Sequence, residues 1–441
     1  MTPLEILQDL VRIDTQNPPG NERAAVDYIA GFCRDVGLEH EVYTYDDDRS
    51  NIVVRLAPGR EERLVILGHL DVVQADPADW DHHPFGAEIA DGYLYGRGTL
   101  DMKYFVAVAL SVVAALKPDE ANLSQGITCV FTADEENGSG FGLPRLLEEE
   151  SVRSELTGRT VLNEGGGFAY EHAGRWYSLV ETGQKSVCRV RVTVPELQDT
   201  NPYFPTLDHE EILARAIRAV QGVEVPVPVP QTAQELLSEF TGGPAADGSD
   251  ELGARLMQLQ MQGDEFLPKL LHAMTRTMIT PTVIHGGSRN PGLPRGIKGQ
   301  ADFDCRLLPG VSREQFMEAA TQALSELPAE LSLLSFSEGY ESAFTNPILR
   351  TAESALRRHD SRIQACLPFL TPGANDGRHL RPLGCEVLGF APLATSQPFK
   401  EVISMIHGVN ERISLDSLSF CERVMTDICR DYVQGETTHV S

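Results

Sequence analysis

The chain has 441 residues, 41% of them hydrophobic and 23% charged, which is enough for a sizeable core and at least two folding units and excludes a disordered or fibrous chain. Its 37 Lys and Arg against 64 Asp and Glu give a formal net charge of −27, a balance that repels phosphate backbones and anionic membrane surfaces, so no nucleic acid and no membrane partner is expected. Eight cysteines without a C-x-x-C pair fit a reduced, cytoplasmic setting better than a disulfide scaffold or zinc ribbon.

The first residues begin an amphipathic helix without a basic or cleavable apolar leader, so export is not expected. Leu4, Leu7, Leu10 and Val11 form its stripe; after the breaker Asn17-Pro18-Pro19-Gly20, a second stripe of Val26, Ile29, Cys33 and Val36 stops at Gly37. Extended runs follow over 41–45, 51–56 and 63–68, then a buried helix from Met102, then a strand over 127–132. The most hydrophobic run, 104–116, is shorter than the ~20 residues a membrane span needs. Segments 160–163 and 386–390 add further strands. Apolar strands alternating with helices predict an α/β domain whose mixed, mostly parallel sheet is covered by helices.

Near residue 182 the texture changes. Residues 186–194 alternate as a half-exposed strand, 208–220 read as a helix, and 223–230 form a Val-Pro connector. Helices are expected over 235–240 and 252–278, and strands over 299–307 and 331–337 flank a helix at 313–327. This order predicts a separate α+β unit, 182–340, inserted into a first domain made of 1–181 and 341–441.

Chemistry gathers where strands end. Gly68-His69-Leu70-Asp71 closes an apolar strand, and in extended backbone residues two apart face one side. Asp71 can therefore accept the imidazole N–H of His69 while the other ring nitrogen faces a metal; alone, the pair reads first as a strand-end histidine and a turn aspartate. Asp101, in Gly96-Arg97-Gly98-Thr99-Leu100-Asp101, is placed as the N-cap of the buried helix, from where a carboxylate can also bridge two cations. Asp134-Glu135-Glu136 crowds three acids behind an apolar strand, which calls for a solvated loop or a metal site. If that stretch is extended, adjacent side chains point apart, so one Glu can ligate while its neighbour handles a proton. Glu164 ends another apolar strand before three glycines, and His407 offers a second histidine late in the chain. Two His and three carboxylates, nearly all at C-terminal strand ends, match where α/β sheets bind ligands.

With Gly68-His69-Leu70-Asp71-Val72-Val73, Trp80-(x4)-Phe85, the Asp101 turn, Thr132-Ala133-Asp134-Glu135-Glu136, Glu164 and His407 in this order, the sequence resembles the superfamily of aminoacylase, acetylornithine deacetylase, succinyl-diaminopimelate desuccinylase and glutamate carboxypeptidase, over nearly its whole length. The resemblance implies a metal-dependent hydrolase of N-acyl amino acids or short peptides with a free carboxylate. It implies two Zn²⁺ per chain, one on His69, Asp101 and Glu164 and the other on Glu136, Asp101 and His407, with Asp101 bridging; Co²⁺ or Mn²⁺ can also fill such a cysteine-free set. Asp71 would orient His69, and Glu135 would be the general base. Two cations (+4) against three ligand carboxylates (−3) leave a positive site that favours hydroxide near neutral pH.

The loop 372–378 resembles the family's substrate loop, with Gly373, Asn375 and Arg378 as substrate contacts; Arg378 either pairs a substrate carboxylate bidentately or is a surface arginine beside a turn. Arg306 matches a lid-strand position and is equally a structural residue, and Asn290 stands where relatives carry a substrate-contacting Asn. Two features depart from the pattern. The turn after the first lid strand, Pro195-Glu196-Leu197-Gln198-Asp199, lacks the histidine that relatives send to a partner's site, with His285 and His209 as weak replacements, and Tyr104 stands where relatives often have Gly. If the extra segment 223–278 covers the lid, a monomer is expected in preference to a lid-mediated homodimer. A metal-stabilised binding protein on the same fold is the rival reading, against which Glu135 argues because a binding protein needs no general base. A two-metal phosphoesterase is disfavoured because no extra cation accompanies the motifs.

Overall fold

A computed structural model of the chain describes residues 1–197, 209–243, 249–261, 266–286 and 293–435. It divides into two compact units, Met1–Thr182 with Ser342–Pro368 and Asn375–Ser441, and Gly183–Glu341 with Phe369–Ala374.

The first unit is built on a mixed sheet in the order Glu39–Asp46, Arg49–Leu56, Gly126–Thr132, Arg63–His69, Thr160–Asn163, Glu386–Gly389, Arg175–Gln184. The middle strands Gly126–Thr132, Arg63–His69, Thr160–Asn163 and Glu386–Gly389 are parallel, and the outer pairings are antiparallel. Arg63–His69 and Gly126–Thr132 are buried throughout, which explains their unbroken apolar runs: a strand covered on both faces has no solvent side to alternate with. Lys103–Leu116 is nearly all buried and packs against Pro3–Arg12, Leu415–Val433 and the Arg63–His69 strand. Local signals set the helix ends: Thr2 and Glu5 form a capping box on Pro3–Arg12, and Glu22–Val36 stops where Gly37 takes φ 74°.

The second unit contains a four-stranded antiparallel sheet ordered Met278–Gly286, Ile297–Leu307, Ser186–Pro195, Glu330–Ser337. Helices His209–Gln221 and Arg313–Ala323 contribute to a core of Val190, Val192, Ile212, Ala216, Phe303 and Phe316. Two expectations change here. The helix expected over 252–278 is two helices, Ser249–Met261 and Leu267–Thr275, and Met278 opens an edge strand instead. Pro281 hid that strand, because a residue without N–H is tolerated only at a sheet edge. Along this edge Val283 is 37% and Ile284 57% exposed.

The hairpin Phe168–His172 with Arg175–Gln184 was also not expected; Ala173 and Gly174, both at positive φ, make its two-residue turn without the usual Asn-Gly signal. All eight cysteines are buried and unpaired. Among the described residues no helix is long and apolar enough to cross a membrane.

Candidate active site

Parallel pairing brings the strand ends together. His69 lies opposite Thr132, so the loop carrying Glu135 and Glu136 emerges beside His69, while Thr160–Asn163, paired to the same strand, delivers Glu164. His69 is 2% exposed. Its Nε2 stands 3.1 Å from Asp101 Oδ1 and 3.6 Å from Glu164 Oε1. His407 Nε2 stands 3.0 Å from Asp101 Oδ2 and 3.1 Å from Glu136 Oε2. Each oxygen of Asp101 thus addresses a different histidine, the disposition a bridging ligand requires. Glu135 joins His69 and Glu164 within ligating reach, as do Asp101 and Glu136 with His69.

The charge pattern of this cluster calls for cations. Burial, opposed by His69 and reinforced by Glu164, Asp376 and Glu136, holds Glu135 well above the usual carboxylate range. Burial and Asp101 push Glu164 up to about 7, while hydrogen bonds donated to Asp101 and Glu136 raise His407 to about 10. One candidate ligand atom makes a further test of fit: Glu136 Oε1 is buried and has no hydrogen-bond partner among the described residues, a costly state that a cation would relieve. A donor set of imidazole nitrogens and carboxylates suits Zn²⁺, Co²⁺ or Mn²⁺.

Three local readings change. Asp101 is not a helix N-cap; Met102 holds that place. Glu135–Asn137 is a 3-10 turn entered through Asp134 at φ 66°, not extended backbone, so the two glutamates are separated by the turn rather than by strand alternation. Asp71, expected to orient His69, has further contacts. The ring Nδ1 is 2.9 Å from the Asp71 backbone oxygen and 3.5 Å from its carboxylate. That carboxylate accepts the backbone N–H of both Glu135 and Glu136, each at 3.1 Å, and the amide of Asn17 at 2.8 Å. Burial opposes its ionisation, but these donors and His69 keep it below the ordinary aspartate value.

Asp134, the third acid of the run, points away into a buried ion group: Arg49 bonds it at 2.8 Å and Glu22 at 2.7 Å. Sequence reasoning did not find Arg49, Glu22 or Asn17; their distance along the chain from the motif left no local signal. Asp376 accepts from Thr132 and Ser139 and so anchors the 375–378 segment at the strand end. Asn375, expected to meet substrate, is 5% exposed and spent internally on Asn163, Gly377 and Glu181. Arg378 is partly buried, its Nε 3.3 Å from His379. Tyr104 fits its helix by donating to Ala391 O at 2.8 Å. In the second unit, Arg306 pairs with Asp304 at 2.6 Å, Gly373 is half-buried, His209 accepts the N–H of Leu197, and His285 is exposed on the edge strand. Asn290, with Gln198 and Asp199, lies outside the described residues.

The sequence pattern of peptidase family M20/M25/M40 matches residues 65–431. The chain belongs to this family. The family is one of metallopeptidase-type hydrolases, and the fold of this chain is that of the family's catalytic unit with a smaller second domain. It is 32% identical over 196 residues to a succinyl-diaminopimelate desuccinylase of Methylobacterium radiotolerans, covering 43% of this chain and 48% of that one. It therefore spans about half the length of that relative. It is 25% identical over 375 residues, 80% of this chain and 69% of the other, to the N-fatty-acyl-amino acid synthase/hydrolase PM20D1 of Xenopus tropicalis. The M20 metallo-carboxypeptidase Sso-CP2 of Sulfolobus solfataricus superposes with a TM-score of 0.72 at 17% identity, covering 98% of this chain and 99% of that one, a likeness of fold.

Proposed function

We propose that this chain is a dinuclear metal hydrolase that cleaves the amide bond of an N-acyl amino acid or short peptide bearing a free carboxylate. The observation that carries the reading is Asp101, whose two oxygens meet His69 and His407 separately, with Glu135 beside them. His69, Asp101 and Glu164 would hold one ion and His407, Asp101 and Glu136 the other. When bound, such ions supply Lewis-acid polarisation of a carbonyl and a lowered pKa for water.

Glu135 takes the proton of the attacking water and returns it to the leaving amine. Burial raises its proton affinity above that of an ordinary carboxylate, which favours its holding the proton between the two transfers. Asp71 fixes the backbone of Glu135 and Glu136, so the base and its neighbouring ligand keep their relative positions. Arg378 is offered as the partner of the substrate carboxylate, a bidentate task its planar donors fit. The desuccinylase and acyl-amino acid hydrolase relatives support an acyl–amino acid bond as the target.

Metal analysis should give two ions per chain, and a panel of N-acetyl, N-succinyl and dipeptide substrates should contain one that is turned over. Glu135→Gln should keep both ions and lower kcat at least ~10²-fold on that substrate. Near-normal turnover in the variant would remove Glu135 from its role, and metal binding without hydrolysis of any panel member would point to a binding protein.

A further inference from the structure

The two ligands that meet across the cluster, Asp101 and His407, come from distant loops, and a buried ion pair links those loops in a crossed manner. Glu411, four residues after His407, is fully buried. One of its oxygens accepts the backbone N–H of Gly98 at 3.1 Å, Leu100 at 2.6 Å and Asp101 itself at 3.1 Å. The other accepts Arg97 Nη1 at 2.6 Å. Arg97, four residues before Asp101, sends Nη2 back to the carbonyl oxygen of His407 at 3.3 Å. Thus the residue on the His407 loop grips Asp101, and the residue on the Asp101 loop grips His407.

Both members are well supported. The guanidinium lies 5.2 Å from the ring centre of Trp80, and the Arg97 N–H bonds Pro84 O at 2.8 Å. Asn410 binds Asp81 through both side-chain atoms, at 2.9 and 2.8 Å. The Trp80–Phe85 motif is therefore the platform under this pair. Three N–H groups converging on one oxygen need a charged acceptor, because a neutral replacement leaves buried donors unmatched or sets an amide N–H₂ against Arg97.

We propose that Glu411 and Arg97 are positioning residues of the metal centre, holding Asp101 and His407 at the separation that lets one carboxylate serve both ions. The proposal rests on the dinuclear reading above and names what sets its geometry. Because Asp101 is shared, loosening it should weaken both ions, whereas loosening His407 alone should weaken one.

The test uses the full chain loaded with Co²⁺ alone, whose visible absorption reports ligand geometry, with affinities from chelator competition. Glu411→Gln should weaken both cobalt ions by ~10–100-fold, the usual scale for losing an outer partner of a ligand. Arg97→Lys keeps a cation opposite Glu411 but loses the planar fork that also reaches His407; it should weaken one ion and alter the spectrum. Urea midpoints of the metal-free variants are measured alongside. Changed midpoints with wild-type cobalt affinities and spectra in both variants would overturn the proposal, leaving a merely structural pair. If Glu411→Gln does not fold, Arg97→Lys decides alone. A wild-type chain that binds fewer than two Co²⁺ would instead defeat the dinuclear reading, and the proposal with it.

Discussion

Replacing Arg49 by Met should cost far more than the loss of a surface charge. The guanidinium donates to both oxygens of Glu22, at 2.7 and 2.8 Å, to Asp134 at 2.8 Å and to Pro19 O at 3.1 Å. Glu22 is 0% and Asp134 4% exposed, so the variant strands two buried carboxylates. Removing one member of a buried pair costs about 3–5 kcal/mol, and with two carboxylates orphaned the upper end, about 5 kcal/mol, is expected. The loss should depend on pH. Burial already raises Glu22 and the Arg49 hydrogen bond opposes it, so without Arg49 its folded pKa climbs further above the unfolded value. A carboxyl raised on folding contributes stability below its unfolded pKa and loses it as pH rises through the folded one. The deficit should therefore be larger at pH 8 than at pH 5. Urea denaturation of the metal-free protein at both values measures it, and adding Glu22→Gln and Asp134→Asn should recover most of the loss. A deficit below about 1 kcal/mol at pH 8, or one that grows in acid, would refute the argument.

His407→Ala should lower metal content from about two ions per chain towards one, measured by elemental analysis after dialysis; unchanged stoichiometry removes His407 from the ligand set. Arg378→Ala should weaken a substrate with a free carboxylate by ~10–100-fold relative to its amide, the worth of a charge-assisted bidentate pair. Equal losses for the two forms would make Arg378 structural. The open edge strand Met278–Gly286 predicts self-association there, so Ile284→Lys should shift sedimentation towards the monomer. Identical profiles for the two chains would show that this edge mediates nothing.

The motif residues were legible because their signals are local. His69, Glu135, Glu136 and Glu164 each follow an apolar run directly, and parallel pairing then brings those ends together without further instruction. What holds them was not legible. Arg49 reaches Asp134 across 85 positions, and Glu411 reaches Leu100 across 311; no periodicity records such contacts. Asn375 is a related case. A polar residue in a glycine-rich loop looks the same whether it faces a substrate or, as here, Asn163 and Glu181. The edge strand and the hairpin at Ala173-Gly174 escaped because Pro281 and an Ala-Gly turn contradict the average preferences of their positions.

The eight buried thiols have a use outside catalysis. Burial raises all of them above the ordinary thiol value, so in the native protein they should react slowly with a thiol reagent. Cys188 and Cys305 sit directly opposite each other in the second unit's sheet, while the other six belong to the first unit. Labelling followed by peptide mapping would therefore time the opening of each unit separately, with the chain's own sulfur atoms as the reporters.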